Sequence, residues 1–304
     1  MCDPSPSRPR WTRVGVELLV GSQLAEVLCA LSAQEVNALL LKGTAFWTSI
    51  YEPGERKVTD IDLLVHPDEQ ERSVAALQGL GYRIRPPPGR PATARQFYER
   101  TFLSGAAARP VPVEIHTNLI HPVRYRIDLE GLFARAQTSE LSGQPVRRLC
   151  AEDSLLHLAL HRTVHGHGLD ADLRNIEDAH RLIRAFPIRW DVLSGRARSW
   201  GCCIALWLLL TSARQRFSSP VPEATLAGLS PRTLRRRYVR RVTASHEGVL
   251  QFRWPGLAPW RRRLLLFPIV LDSPRQHLAS LLHFARLRAL DVLESRFAET
   301  QRDR

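Results

Sequence analysis

Residues 38–65 read ALLLKGTAFWTSIYEPGERKVTDIDLLV, and this stretch decides the fold. It contains two short apolar runs, residues 38–41 and residues 58–65, and each is typical of a buried strand. The dipeptide Lys42-Gly43 marks a turn after the first run, and residues 44–51 predict a helix. The order of strand, glycine turn, helix and strand indicates a domain in which helices pack on a β-sheet.

The second apolar run carries two carboxylates, Asp60 and Asp62, in an otherwise hydrophobic segment. Side chains alternate between the two faces of a strand, so both carboxylates face one way while Ile61 and Leu63 face the other. Two like charges are costly to bury without a partner. A bound divalent cation is the simplest way to balance the two negative charges, and oxygen ligands of this kind suit Mg²⁺ or Mn²⁺.

A second candidate strand, residues 111–116 with the sequence VPVEIH, repeats this pattern. Glu114 and His116 share one of its faces, and His116 is a candidate accessory residue. If this strand neighbours the strand of Asp60 and Asp62, Glu114 completes a site of three carboxylates. Such a site can hold two metal ions about 4 Å apart, one for the attacking oxygen and one for a triphosphate.

The turn upstream of the acidic pair is a candidate phosphate site. Gly43 lets the backbone approach a phosphate closely, and the helix that follows offers free amides at its positive end. Thr44 adds a hydroxyl, while Lys42 and Arg56 are candidates to neutralise phosphate charge. The turn and the carboxylates together predict a site that works by positioning and electrostatics.

The remaining sequence predicts an α/β domain followed by a mostly helical one. Residues 1–12 are polar and proline-rich and are expected to form a disordered lead-in, with the α/β domain at residues 13–125 and a helical C-terminal domain at residues 126–304. The active site is expected in the cleft between the two domains. Further helices are predicted at residues 15–36, 152–165, 173–185, 200–216 and 276–297, and further strands at residues 82–85 and 96–103.

The composition indicates a globular protein with a basic surface. The chain has 304 residues and a net charge of +13, and Lys42 and Lys57 are its only lysines, so arginine supplies nearly all the positive charge. Anionic partners such as nucleotides, nucleic acids or acidic peptides would be attracted. The five cysteines follow no disulfide or zinc spacing, and no secretory signal or membrane span is recognised, which predicts a cytoplasmic protein.

A row of histidines, His157, His161 and His165, falls at helical spacing on one face, with His167 close behind. The row could bind a metal or relay protons, and His161 is a candidate accessory residue. It could equally line the seam between the helical domain and the sheet.

The motif LLLKGTAFW-x3-Y-x4-R-x3-DIDLLV, followed by a helix, a Gly-Tyr dipeptide and VEIH, resembles the nucleotidyltransferase superfamily of the DNA polymerase beta type. It is most similar to the branch called uncharacterised nucleotidyltransferases. The family pattern of glycine plus serine or threonine, an acidic pair and a third acidic residue falls here on Gly43-Thr44, Asp60, Asp62 and Glu114.

The resemblance implies transfer of a nucleoside monophosphate from a nucleoside triphosphate, ATP in the first place, to a hydroxyl-type acceptor with release of pyrophosphate. It implies that Asp60 and Asp62 bind the metals, and that Glu114 binds the catalytic metal and deprotonates the acceptor. A small-molecule, peptide or protein acceptor is favoured over RNA, because no RNA-binding module is recognised.

Two other functions are compatible with the sequence. One is a non-catalytic or antitoxin-like regulatory protein that keeps the fold, although the intact acidic residues weigh against it. The other is a basic nucleic-acid-binding protein driven by arginine clusters such as Arg235-Arg236-Arg237 and Arg261-Arg262-Arg263.

Overall fold

The computed structural model describes residues 10–47, 49–86, 98–106, 108–141, 144–164, 169–244 and 271–302. The chain divides into two compact units. The first consists of Met1–Pro87, Glu99–Asn118 and Leu129–Cys150, and the second of Pro88–Tyr98, Leu119–Asp128 and Ala151–Arg304.

The first unit is built on a mixed sheet. Within the described residues the sheet has seven strands, in the order β3-β4-β5-β2-β1-β7-β6. The strands are β1 (Leu39–Leu40), β2 (Ile61–Leu64), β3 (Arg83–Ile84), β4 (Glu99–Leu103), β5 (Val113–His116), β6 (Gln137–Leu141) and β7 (Gln144–Arg148). The helices of this unit are α1 (Arg10–Ala33), α2 (Lys42–Trp47), α3 (Gln70–Gly79) and α4 (Leu129–Ala134), with a 3-10 turn at Pro67–Glu69.

The sheet confirms the strand pairing on which the predicted site depends. Strand β2 lies between β1, with which it is antiparallel, and β5, with which it is parallel. Strands β4 and β5 form the predicted antiparallel pair. All four residues of β2 are buried, because it lies inside the sheet and carries an apolar sequence. The predicted α/β fold class is therefore confirmed.

Helix α1 supplies much of the core on one side of this unit. Its buried residues Val20, Leu24, Val27 and Leu31 recur at helical spacing. The helix begins at Arg10, so residues 10–12 are helical and not part of a disordered lead-in. Val14–Ala33 is 20 residues long and contains a window with a mean hydropathy of 1.7, so by length and composition alone it could cross a membrane.

Strands β6 and β7 lie in a region that the sequence predicted to be mostly helical, so that prediction was wrong for this hairpin. The hairpin extends the sheet beyond residue 125, where β7 runs parallel to β1. Most of its side chains are exposed or partly exposed, with Val146 and Arg148 as the buried positions of β7. A strand with little buried surface lacks the period-2 apolar alternation by which strands are recognised.

The second unit is helical, as predicted. Its helices are α5 (Ala151–Val164), α6 (Leu169–Ala185), α7 (Trp190–Trp200), α8 (Cys203–Phe217), α9 (Glu223–Leu229), α10 (Thr233–Ala244) and α11 (Pro274–Arg302). Helix α8 is the centre of the unit, with Ile204 to Leu210 all buried. The helix predicted at residues 200–216 is interrupted at Gly201, whose φ of 73° lies in the left-handed region that ends α7.

Several sequence-based predictions fall outside the described residues. They concern residues 1–9, His165, His167 and the arginine cluster Arg261-Arg262-Arg263. In the second unit Trp200 and Trp207 are buried in the core.

Candidate active site

The two central carboxylates of the site, Asp62 and Glu114, lie side by side on neighbouring strands. The parallel pairing of β2 with β5 sets Asp62 opposite Glu114 and Leu64 opposite His116. Because residues opposite one another in a sheet project from the same face, Asp62, Glu114 and His116 form one polar cluster. Asp60 precedes β2 by one residue and is half-buried.

Asp62 is the most enclosed member of the cluster, and two basic groups hold it. Its Oδ1 accepts a hydrogen bond from Nζ of Lys42 at 2.8 Å and lies 2.9 Å from Nε2 of His116. Burial alone would raise the pKa of Asp62, but the charges of Lys42 and His116 hold it well below its usual range. Asp62 is therefore ionised at neutral pH.

His116 connects three carboxylates and is 2% exposed. Besides its contact with Asp62, its Nε2 lies 3.7 Å from Oε2 of Glu114, and its Nδ1 lies 3.7 Å from Oε2 of Glu99. Burial opposes a charge on the ring, but the hydrogen-bonded Asp62 and the nearby carboxylate of Glu114 raise the pKa of His116 to about 9. The ring is thus a buried imidazolium among acidic groups.

The pKa of Asp60 is shifted in the opposite direction to that of Asp62. Burial, followed by the negative charge of Asp62, raises the pKa of Asp60 to about 6, although Lys42 pulls it downwards. Glu114 adds to the repulsion. The cluster therefore holds more negative charge than Lys42 and His116 compensate, which is the electrostatic condition that favours a divalent cation.

The donor atoms of the cluster are close enough together to hold a metal ion. One ligand atom from each of Asp62, Glu114 and His116 lies within 4.8 Å of the others. This set shares Asp62 and Glu114 with the predicted ligands, while its third member, His116, has no lone pair for a metal as long as it is an imidazolium. Two carboxylates with a third at Asp60 form a donor set that fits Mg²⁺ or Mn²⁺.

The glycine turn lies next to the carboxylates, as the sequence predicted, but it is built differently. Lys42 has a φ of 47°, a left-handed conformation that is uncommon for a residue with a side chain. A Cβ atom at Gly43 would lie 3.2 Å from Cγ2 of Val58, so Gly43 is needed for the close packing of the turn on the chain leading into β2. The hydroxyl of Thr44 donates to the carbonyl of Leu41 at 3.3 Å.

Two other residues predicted for the site, Arg56 and His161, make contacts outside the carboxylate cluster. Arg56 donates from Nη1 to the carbonyl of Lys57 at 2.8 Å, and its guanidinium lies over the ring of Tyr51, 6.0 Å from the centroid. His161 is on α5 in the second unit, where its ring packs edge-on against that of His157 at 6.2 Å. The first unit thus brings together Lys42, Asp60, Asp62, Glu114 and His116.

Glu99 is the member of the cluster that the sequence analysis did not identify. It lies on β4 directly opposite His116, and its side chain is 18% exposed. The predicted hairpin of residues 96–103 and 111–116 contains Glu99, but which of its side chains faces His116 depends on the register of the pairing. The register of that pairing was not available from the sequence.

Comparison with known proteins identifies the family. Residues 16–218 match the family described as uncharacterised nucleotidyltransferase, while no curated protein matches the chain. Among solved structures, an antigenic nucleotidyltransferase-like protein from Paracoccidioides brasiliensis is 18% identical with a TM-score of 0.47, over 69% of this chain and 93% of the other.

Two further solved structures are also similar. The antibiotic-resistance factor ANT(2'')-Ia is 15% identical with a TM-score of 0.41, over 65% of this chain and 92% of its own. The lincosamide antibiotic adenylyltransferase LnuA is 15% identical with a TM-score of 0.38, over 54% of this chain and 97% of its own. The family match covers about two thirds of the sequence, so the chain belongs to the uncharacterised nucleotidyltransferase family and is a nucleotidyltransferase.

Proposed function

We propose that this protein transfers a nucleoside monophosphate from a nucleoside triphosphate, ATP in the first place, to a hydroxyl group of a small molecule, a peptide or a protein. The observation that carries the proposal is the placement of Asp62 opposite Glu114 on adjacent parallel strands, with Asp60 two residues away. The family match supports nucleotide transfer as the reaction class.

In the proposed reaction the acceptor oxygen attacks the α-phosphorus of the triphosphate. A new phosphorus–oxygen bond forms to the acceptor, the bond from the α-phosphorus to the bridging oxygen breaks, and pyrophosphate leaves. Glu114 is 19% exposed and is the proposed base that takes the proton of the acceptor hydroxyl. Magnesium, held by Asp60, Asp62 and Glu114, would neutralise the charge of the phosphates and lower the pKa of the acceptor.

The residues around the carboxylates have supporting roles in this proposal. Lys42, Gly43 and Thr44 form the turn beside which the triphosphate is expected, and Arg56 is proposed to contribute positive charge to it. His116 keeps Asp62 in place and ionised through its contact at 2.9 Å. Because the reaction needs cytoplasmic nucleotides and magnesium, we place the protein in the cytoplasm.

The test uses triphosphates labelled at the α-phosphate. The protein is incubated with each labelled triphosphate, Mg²⁺ and a cell extract, and the products are separated into small-molecule, protein and RNA fractions. The double variant Asp60→Asn with Asp62→Asn is compared with Asp68→Asn, which removes a carboxylate that is 89% exposed. We expect label transfer with the wild type and Asp68→Asn only, in the small-molecule or protein fraction.

Each other result has a defined meaning. Transfer that survives the double variant would show that the carboxylates are not catalytic. Label in the RNA fraction alone would replace the proposed acceptor class with nucleic acid. Binding of a triphosphate without any transfer would favour a regulatory protein of the same fold.

A further inference from the structure

Glu99 is placed by the sheet on the polar face of the proposed active site. The antiparallel pairing of β4 with β5 sets Glu99 opposite His116 and Thr101 opposite Glu114. Since β5 pairs in turn with β2, the face that carries Asp62 also carries Glu99. The carboxylate of Glu99 is therefore a fourth acidic group in the cluster.

A carboxylate that is largely shielded from water needs a compensating charge. The side chain of Glu99 is 18% exposed, and its Oε2 lies 3.7 Å from Nδ1 of His116. Burial raises the pKa of Glu99, the charge of His116 lowers it, and the charge of Glu114 raises it. The net effect raises the pKa of Glu99, and His116 is the basic side chain that faces its carboxylate.

Arg100, the next residue of β4, forms an ordinary surface ion pair. Arg100 projects from the opposite face of β4 and bonds Glu71 at 3.1 Å, where the side chain of Glu71 is 78% exposed. A pair so exposed contributes little, about 0–1 kcal/mol. Glu99 differs because it contacts a ring that is 2% exposed and that itself contacts Asp62.

The two nitrogens of the His116 ring face different carboxylates. Its Nε2 lies at hydrogen-bond distance from Asp62, 2.9 Å, while its Nδ1 makes no hydrogen bond within the described part of the chain and lies at the longer ion-pair distance of 3.7 Å from Glu99. Rotation of the ring would change both distances. Partners that bond a metal ligand directly change metal affinity or activity about 10- to 100-fold when removed. His116 is such a partner of Asp62, and Glu99 lies one contact further out, so we expect the lower end of this range.

We propose that Glu99 is a positioning residue that restrains the ring of His116, so that Nε2 stays directed at Asp62. This inference rests on the proposed function, because it assigns the cation to Asp62 and Glu114. Glu99 acts through His116 and contacts neither the nucleotide nor the acceptor.

The experiment measures Mn²⁺ affinity by calorimetry without nucleotide, together with the nitrogen NMR signals of the His116 ring. The variants are Glu99→Gln, which removes the charge, Glu99→Asp, which keeps the charge but shortens the reach, and Glu71→Gln as the matched surface control. We expect both Glu99 variants to weaken Mn²⁺ binding by about tenfold and to shift the Nδ1 signal of His116. Glu71→Gln is expected to behave like the wild type.

The aspartate variant separates positioning from simple electrostatic attraction. If Glu99→Asp binds Mn²⁺ as well as the wild type while Glu99→Gln does not, the carboxylate acts through its charge alone and the inference is wrong. The inference is also wrong if the His116 signals are unchanged in both variants, or if thermal unfolding shows that the Glu99 variants lose affinity only because they are unfolded.

The double variant Asp60→Asn with Asp62→Asn distinguishes failure of this inference from failure of the proposed metal site. If Asp60→Asn with Asp62→Asn leaves Mn²⁺ affinity unchanged, the proposed metal site itself is wrong. If that double variant abolishes Mn²⁺ binding and Glu99→Gln leaves it intact, only the role of Glu99 is rejected.

Discussion

Asp62 and Glu114 occupy the same position on adjacent parallel strands, β2 and β5, although 52 residues of sequence separate them. This relationship turns an acidic pair on one strand into a site that spans two. It also explains why the site needs His116 and Lys42, since two ionised carboxylates on one buried face repel each other unless positive groups lie between them.

The ion pair between Lys42 and Asp62 is expected to stabilise the fold. Lys42→Gln removes a partner from a carboxylate that is 2% exposed, so we expect a loss of about 1–3 kcal/mol in the free energy of unfolding. In a double-mutant cycle with Asp62→Asn, the two changes should be non-additive by about 0.5–3 kcal/mol. Urea denaturation of the four proteins measures this coupling energy.

The matched control for this cycle is Lys57→Gln, which removes the exposed lysine of the chain. We expect it to lie within about 0.5 kcal/mol of the wild type. Additive effects of Lys42→Gln and Asp62→Asn would show that the two side chains do not interact in solution.

Asp60→Asn is expected to stabilise the protein in the absence of metal, in contrast to Asp62→Asn. The pKa of Asp60 is raised to about 6 by burial and by Asp62, so the ionised form is less favourable in the folded protein than in the unfolded chain. The stability of the wild type relative to Asp60→Asn is highest below pH 4 and is lost as the pH rises through about 6. The gain of Asp60→Asn at pH 7 should be about 1–3 kcal/mol.

Thermal unfolding at pH 4, 5, 6 and 7 in the presence of a chelator measures this difference. Addition of Mg²⁺ at about 100 times its dissociation constant should then stabilise the wild type by about 2.7 kcal/mol and Asp60→Asn by less. A difference between the two proteins that stays constant with pH would contradict the raised pKa of Asp60.

Gly43→Ala is expected to destabilise the turn before the active site. The added Cβ would lie 3.2 Å from Cγ2 of Val58, and overpacking of a tight site costs about 1–3 kcal/mol. The double variant Gly43→Ala with Val58→Ala makes room for the new methyl group, so it should be more stable than the sum of the single changes predicts.

The control for this prediction is Gly195→Ala in α7, where a Cβ would meet nothing within 4 Å. That change should stabilise the protein by about 0.5–1 kcal/mol, because alanine is the better helix former. If Gly43→Ala behaves like Gly195→Ala in urea denaturation, the close contact with Val58 is not present in solution.

The sequence predicted the elements of the site because its signals are local. The alternation around Asp60 and Asp62, the glycine at position 43 and the VEIH motif each lie within one element, and strand alternation places their side chains on known faces. The predicted site of three carboxylates required β2 and β5 to be neighbouring strands, and the structure shows that they pair.

The sequence did not predict the parts of the structure that depend on contacts between distant segments. Glu99 could not be assigned, because a shift of one residue in the β4–β5 register would have turned it to the other face. The hairpin of β6 and β7 has few buried positions and therefore no apolar alternation. The ion pair of Lys42 with Asp62 joins residues that are 20 positions apart in the sequence, and it was not predicted.

Asp272 also makes contacts between distant segments that the sequence did not predict. It lies 69 residues after Cys203, and its carboxylate accepts hydrogen bonds from the amides of Cys203 at 2.6 Å and Ile204 at 2.9 Å, at the start of α8. Cys202, the residue in the capping position of α8, makes no side-chain hydrogen bond to the helix. Asp272 therefore supplies from a distant segment the cap that a residue next to the helix usually provides.

Asp272→Ala should lower the free energy of unfolding by about 0.5–2 kcal/mol, because two buried amides at the helix start lose their acceptor. Asp272→Asn keeps one acceptor oxygen and loses the charge that complements the positive end of α8, so its loss should be intermediate. Urea denaturation of the three proteins ranks them. An Asp272→Asn variant as unstable as Asp272→Ala would mean that the charge, and not the hydrogen bonds, stabilises the start of α8.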